Sequence, residues 1–120
     1  MAAHRRAAIK IPSGRRNMAF VLDLETPSNN KKKRGFMTAM MRQGIHQDQQ
    51  LLYRADEEEA SFPDPHNTIR RGAEITKRLL RENPQVDAIV YSVDMLAIGG
   101  LQEMERQGIA VPGQIAVMGV

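Results

Sequence analysis

Short, uninterrupted apolar runs alternate along the chain with longer stretches in which apolar residues recur every three or four positions. Asn17 to Asp23 (NMAFVLD) is almost continuously apolar, the pattern of a strand buried on both faces of a parallel sheet. Polar TPSNN follows at once. Thr26 or Ser28 can cap a helix there, Pro27 suits its first turn, and Phe36, Met37, Met40 and Met41 keep helical spacing until Gly44 supplies a stop. Gln50 to Arg54 predicts a second short strand, followed by the acidic, proline-containing loop DEEEASFPDPHN. A helix is then expected from about Thr68 to Arg81, with Ile69, Gly72, Ala73, Thr76, Leu79 and Leu80 as its buried stripe and Asn83-Pro84 as its end. Val86 to Tyr91 (VDAIVY) predicts the third strand, and Ser92 or Asp94 is expected to cap a helix that runs to about Gln107. Gly108 closes that helix, and Gln114 to Gly119 (QIAVMG) is the fourth strand.

The order β-α-β-α-β-α-β implies an α/β fold, a parallel sheet flanked by helices, with ligands expected at the carboxyl ends of the strands. The third helix has more apolar surface than one sheet-facing stripe requires, at positions 95, 96, 97, 98, 101 and 104. Periodicity leaves two explanations open: a helix at the sheet centre overlapped by its neighbours, or a subunit interface.

With 120 residues, 42% of them hydrophobic, the chain has room for one domain and for a core that needs no staples. Cysteine is absent, which excludes a disulfide scaffold, a thiolate metal site and a cysteine nucleophile, and makes a reducing cytoplasm the default. No apolar run approaches the roughly 18 residues of a membrane span, and the start MAAHRRAAIKIP lacks the apolar stretch of a signal peptide. A cytoplasmic protein without membrane association is therefore expected. The net charge of +3 is uneven, with nine basic and two acidic residues in positions 1–34 against eight and twelve in the remainder. A basic end of this kind signals either nucleic acid or a solvated arm. Lacking interleaved aromatics and a DNA-reading motif, residues 1–14 read as a basic amino-terminal arm.

Candidate chemistry is sparse. The first strand-to-helix turn is Leu24-Glu25-Thr26-Pro27-Ser28, without the glycines that let a backbone approach a pyrophosphate, and no Gly-x-Ser-x-Gly elbow occurs. His4, His46 and His66 are scattered without metal-ligand spacing, and the consecutive acids Asp56 to Glu59 cannot all face one ion. No catalytic residues, metal or cofactor are expected. What remains are Asp23, Thr26, Ser28 and Lys32 after the first strand, and Ser92 and Asp94 after the third. Their donors and acceptors suit a hydroxyl-rich small ligand, although spacing alone favours helix capping for the hydroxyl and carboxylate residues.

The stretch Val86 to Gly119, VDAIVYSVDMLAIGGLQEMERQGIAVPGQIAVMG, closely resembles the signature region of LacI-family transcriptional repressors. The likeness takes in the helix start at Asp94, Leu96, Ala97, Ile98 and Gly99, then Gly108-Ile109, Val111-Pro112 and the last strand in register. Arg15 to Val21 is similar to the family's first strand of this region, Lys32 to Phe36 to its helix start, and Gly72 to Leu80 to the helix that follows. The resemblance covers about Gly14 to Val120. It implies that residues 15–120 form a partial effector-binding subdomain, one lobe of a periplasmic-binding-protein-like type I fold, with the helix-turn-helix, hinge helix and other lobe missing.

In that family the effector lies in a cleft between two lobes. The resemblance, with the strand-end residues above, implies effector binding by Thr26, Ser28, Lys32, Ser92 and Asp94. Asp94 matches the family pattern, whereas Lys32 stands where many members have arginine and Val93 where they have asparagine. The resemblance also places the helix after Asp94 at a dimer interface, implicating Met95, Ile98, Leu101 and Gln102. A truncated, non-enzymatic, ligand-responsive repressor is thus implied. It would take a sugar or sugar acid as effector, self-associate as a homodimer, and reach operator DNA only through the missing helix-turn-helix. The alternative is a remnant of a periplasmic sugar-binding protein of a transport system, which shares this lobe.

Overall fold

The structure, a computed structural model, describes residues 17–23, 26–44, 51–54 and 65–119. The expected arm over 1–14, His4, His46, the acids Asp56 to Glu59 and the side chain of His66 lie outside the described residues. Strands β1 (Met18–Leu22), β2 (Leu51–Arg54), β3 (Ala88–Tyr91) and β4 (Ala116–Gly119) form one parallel sheet in the order β2-β1-β3-β4. Helices α1 (Pro27–Arg42), α2 (Pro65–Glu82) and α3 (Asp94–Arg106) alternate with them, as the sequence pattern requires.

Successive β1 side chains leave on opposite faces of the sheet, and both faces are covered. Met18, Phe20 and Leu22 pack with Phe36 and Met40 of α1, while Ala19 and Val21 pack with Ile75 and Leu79 of α2 and Leu96 and Met104 of α3. All five β1 residues are buried, which is why this strand shows no polar alternation. The rings of Phe20 and Phe36 meet with centroids 5.0 Å apart. At the edge, Tyr53 of β2 is tied to the end of α2, donating to Glu82 Oε1 at 2.5 Å and accepting from Asn83 Nδ2 at 2.8 Å.

Local signals set the helix ends. Thr26, extended at φ −121° and ψ 161°, caps α1 by accepting from the Asn29 N–H, and Pro27 occupies the first turn. Gly44 and Gly108 follow α1 and α3 with φ of 79° and 75°, a left-handed conformation that favours glycine. Two expectations need correction. α2 begins at Pro65, three residues before Thr68, because a proline whose own N–H is dispensable can open a helix as well as interrupt a loop. Neither Ser92 nor Asp94 caps α3. The N-cap is Val93, which makes no side-chain cap bond, and Asp94 sits inside the first turn, where its charge suits the positive end of the helix dipole.

α2 and α3 cross in close contact through glycines. A Cβ built on Gly72 would run into the Leu96 carbonyl, and one on Gly99 into the Ile69 carbonyl. Leu96, Gly99, Gly100 and Met104 of α3 are thereby buried, so much of the helix's apolar excess is taken up by its neighbours. Ile98 and Leu101 are not, at 40% and 41% exposure.

Candidate functional site

The sheet order places a topological switch point between β1 and β3. The chain leaves β1 for α1 on one face and leaves β3 for α3 on the other, so a crevice opens at their carboxyl ends. Four polar residues meet there. Ser92, fully buried at the end of β3, accepts the Asp23 N–H on its hydroxyl at 3.0 Å and so ties the two strand ends together. Its carbonyl accepts from Lys32 Nζ of α1 at 2.7 Å. Asp23 Oδ1 in turn accepts from Arg71 Nη1 of α2 at 2.9 Å, with side-chain exposures of 15% and 8%. Arg71 also donates to Thr68 Oγ1 at 3.2 Å, one turn earlier on α2.

The residues expected to bind effector fall into three environments. Lys32 and Ser92 are directly bonded to each other and belong to this cluster. Thr26 uses its hydroxyl to cap α1, and Ser28 is exposed on the first turn of the same helix. Asp94 is exposed at the start of α3 with its carboxylate against the end of β4, where a Cβ on Gly119 would come within 3.1 Å of Oδ1. Ser92 thus acts through its carbonyl and as a brace for β1, its hydroxyl being engaged by Asp23.

Arg71 escaped the sequence reading. Next to Arg70 on a polar helix flank, it has the look of a solvated side chain, and its partner lies 48 residues away. Only its position just before Gly72, on the stripe facing the sheet, hinted at burial. A buried ion pair of this kind owes its value to complementary partners, since either member left alone is costly.

On α3, Met95 is half-buried while Ile98, Leu101 and Gln102 are exposed, at spacings of three and four that put them on one outward face. Among the described residues no group of three or more His, Cys, Asp or Glu is placed to hold a metal ion, and no helix is long and apolar enough to cross a membrane.

Comparison with known proteins matches residues 10–120 to the periplasmic binding protein-like domain. The chain is 36% identical over 109 residues to the HTH-type transcriptional regulator GntR of Pseudomonas aeruginosa, covering 88% of this chain and 28% of that protein. Among solved structures it is similar to a LacI transcriptional regulator from a Rhodococcus species, with a TM-score of 0.72 and 28% identity, covering 88% of this chain and 35% of the other. It is likewise similar to a sugar-binding transcriptional regulator of the LacI family from Escherichia coli, solved with phosphate, with a TM-score of 0.70, 26% identity and coverages of 98% and 37%. The chain therefore spans about a third of the length of the relatives it matches.

Proposed function

Because the chain belongs to the periplasmic binding protein-like domain family, in the form carried by LacI-family transcriptional regulators, we propose that residues 15–120 are the effector-side lobe of a ligand-responsive repressor. The lobe offers one wall of a cleft to a sugar or sugar acid, with Thr26, Ser28, Lys32, Ser92 and Asp94 on that wall. The observation that carries this reading is the convergence of Lys32, Ser92 and Asp23 at the β1–β3 switch point, where an open parallel sheet takes its ligands. Operator recognition belongs to a helix-turn-helix of the kind for which the related regulators are named, and the protein works in the cytoplasm without catalysing a reaction. The transport-protein alternative finds no support among the named relatives, which are regulators.

One wall of a cleft buries too little of a small ligand for tight binding, so millimolar affinity is the expectation for this chain. Titration of the amide NMR spectrum with a panel of sugars and sugar acids tests it. Shifts confined to the ends of β1 and β3 and the start of α1 are expected. Binding that leaves those amides unmoved would overturn the reading.

A second element follows from the outer face of α3. Ile98 and Leu101, exposed on an ordered helix, suit pairing of two copies, with Met95 and Gln102 at the border of the contact. Sedimentation velocity over a concentration series measures this directly.

A further inference from the structure

Asp23, just past the end of β1, is fixed from two directions. Its N–H donates to the Ser92 hydroxyl at 3.0 Å, which sets the main chain, and its Oδ1 accepts from Arg71 Nη1 at 2.9 Å, which sets the side chain. The guanidinium is itself held, since Arg71 Nη2 donates to Thr68 Oγ1 one turn back on α2. The next residue, Gly72, lies against the Leu96 carbonyl of α3, and Ile75 and Leu79 pack α2 onto the sheet. α2 is therefore docked without the ion pair. A buried ion pair adds little net stability over well-packed apolar residues of similar size, so fastening α2 to β1 does not account for this one. What it does fix is the position of a carboxylate at the carboxyl end of a central strand, at the switch point where an open parallel sheet takes its ligands.

We propose that Asp23 is a specificity-determining acceptor for hydroxyl groups of the ligand, with Arg71 as its positioning residue. This rests on the reading of the strand ends as the ligand wall and adds a contact to it. A carboxylate offers two oxygens and about four acceptor positions, so the bond from Nη1 to Oδ1 leaves it able to receive hydroxyl donors. Asp23 keeps 15% of its side chain exposed and Arg71 behind it 8%, so a small molecule can reach the carboxylate while the guanidinium stays covered. Hydrogen bonds to a charged acceptor are roughly twice as strong as neutral ones, and a carboxylate already held in place gives up little side-chain freedom on binding. The ligand class is thus a polyol or sugar that presents hydroxyls at this point, and an analogue with hydrogen in their place loses the contact.

The test is an NMR titration of the 120-residue chain with glucose and with glucuronate, reading the backbone amides together with the side-chain carboxyl carbons. The Asp23 carboxyl carbon should shift along with the Asp23 and Ser92 amides. Amides that move while the Asp23 carboxyl stays still overturn the proposal and leave the ligand wall standing, and no response to either compound overturns both. Asp23→Leu combined with Arg71→Met exchanges the pair for apolar side chains, a change that buried ion pairs often tolerate, and should weaken the titration roughly tenfold or more, the equivalent of one charge-assisted hydrogen bond. A purely structural ion pair predicts a double variant that is folded by circular dichroism and keeps the parent's affinity, and that result overturns the proposal as well. If the double variant does not fold, the carboxyl shift of the parent decides. Arg71→Met alone leaves Asp23 charged but unheld and should weaken binding several-fold, whereas the parent's affinity in that variant overturns the positioning role of Arg71.

Discussion

The hydroxyls of Tyr91 and Thr76 lie 2.7 Å apart in the interior, joining β3 to α2 with both side chains fully buried. Burial pushes the Tyr91 phenol well above its ordinary range, so the group is a neutral hydrogen-bonding partner at every working pH. Gly100 of α3 lies against the same hydroxyl. Three elements therefore meet at one polar contact within an apolar core. Tyr91→Phe should cost about 1–3 kcal/mol, the penalty for a buried hydroxyl left without its partner. Thr76→Val should cost a similar amount, and the double variant less than the sum of the two, because both lose the same bond. Urea unfolding of the four chains measures all three values.

Two glycines should fail for different reasons. Gly99→Ala places a methyl group against the backbone of α2, where nothing flexible can give way, and should cost at least the 1–3 kcal/mol typical of overpacking. Gly108→Ala meets open space but must hold φ near 75°, at about 1–2 kcal/mol. Replacing Gly108 by asparagine, which tolerates this conformation, should recover part of the loss, whereas Gly99→Asn should be worse than alanine. Thermal melts of the four variants separate the two cases.

Acid should weaken the α3 end of the molecule. Glu103, buried on α3, accepts from Arg106 and from Gln107 Nε2 at 2.6 Å, and the Arg106 bonds in particular hold its carboxyl below the usual carboxylate range. A depressed pKa contributes stability above the unfolded value near 4.5 and loses it as pH falls through the folded one. The stability gap between the parent chain and Glu103→Gln should therefore be full at neutral pH and close under acid, as urea midpoints over an acid series would record. A gap that is independent of pH would refute the ionic origin.

Leu101→Glu should reduce self-association without lowering stability, since the side chain is 41% exposed and contributes little to the core. The same change at buried Leu96 should unfold the chain. Sedimentation velocity paired with circular dichroism distinguishes loss of an interface from loss of the fold.

The 120-residue chain should give no sequence-dependent DNA footprint. The exposed face of α3 is apolar at its centre, and among the described residues no helix-turn-helix pair presents a recognition helix for a major groove. Weak binding that vanishes with salt would reflect the basic residues alone. A footprint that follows sequence would contradict the prediction.

Local and periodic information was sufficient for the fold. The uninterrupted run Met18 to Leu22 meant burial on both faces, the stripe from Ile69 to Leu80 meant one sheet-facing side, and Gly44 and Gly108 meant stops, because each depends on the residue and its near neighbours. Helix starts were less legible. Thr26 was a correct cap, but the Ser92 hydroxyl is engaged by the Asp23 amide just past the end of β1, and the competition between a local cap and a distant bond is invisible in one dimension.

The sequence by itself determined the alternation of strands and helices, the two-sided sheet and the set of polar residues at strand ends, all of which follow from periods of two and 3.6 and from turn chemistry. The tertiary structure alone decided which of those residues come together, and it brought Arg71 to them. Asp23 and Ser92 are bonded across 69 positions, Lys32 and Ser92 across 60, and Asp23 and Arg71 across 48. A hydrogen bond or an ion pair depends on distance in space, and the order β2-β1-β3-β4, set by how the helices divide between the two faces, is what brings those ends together.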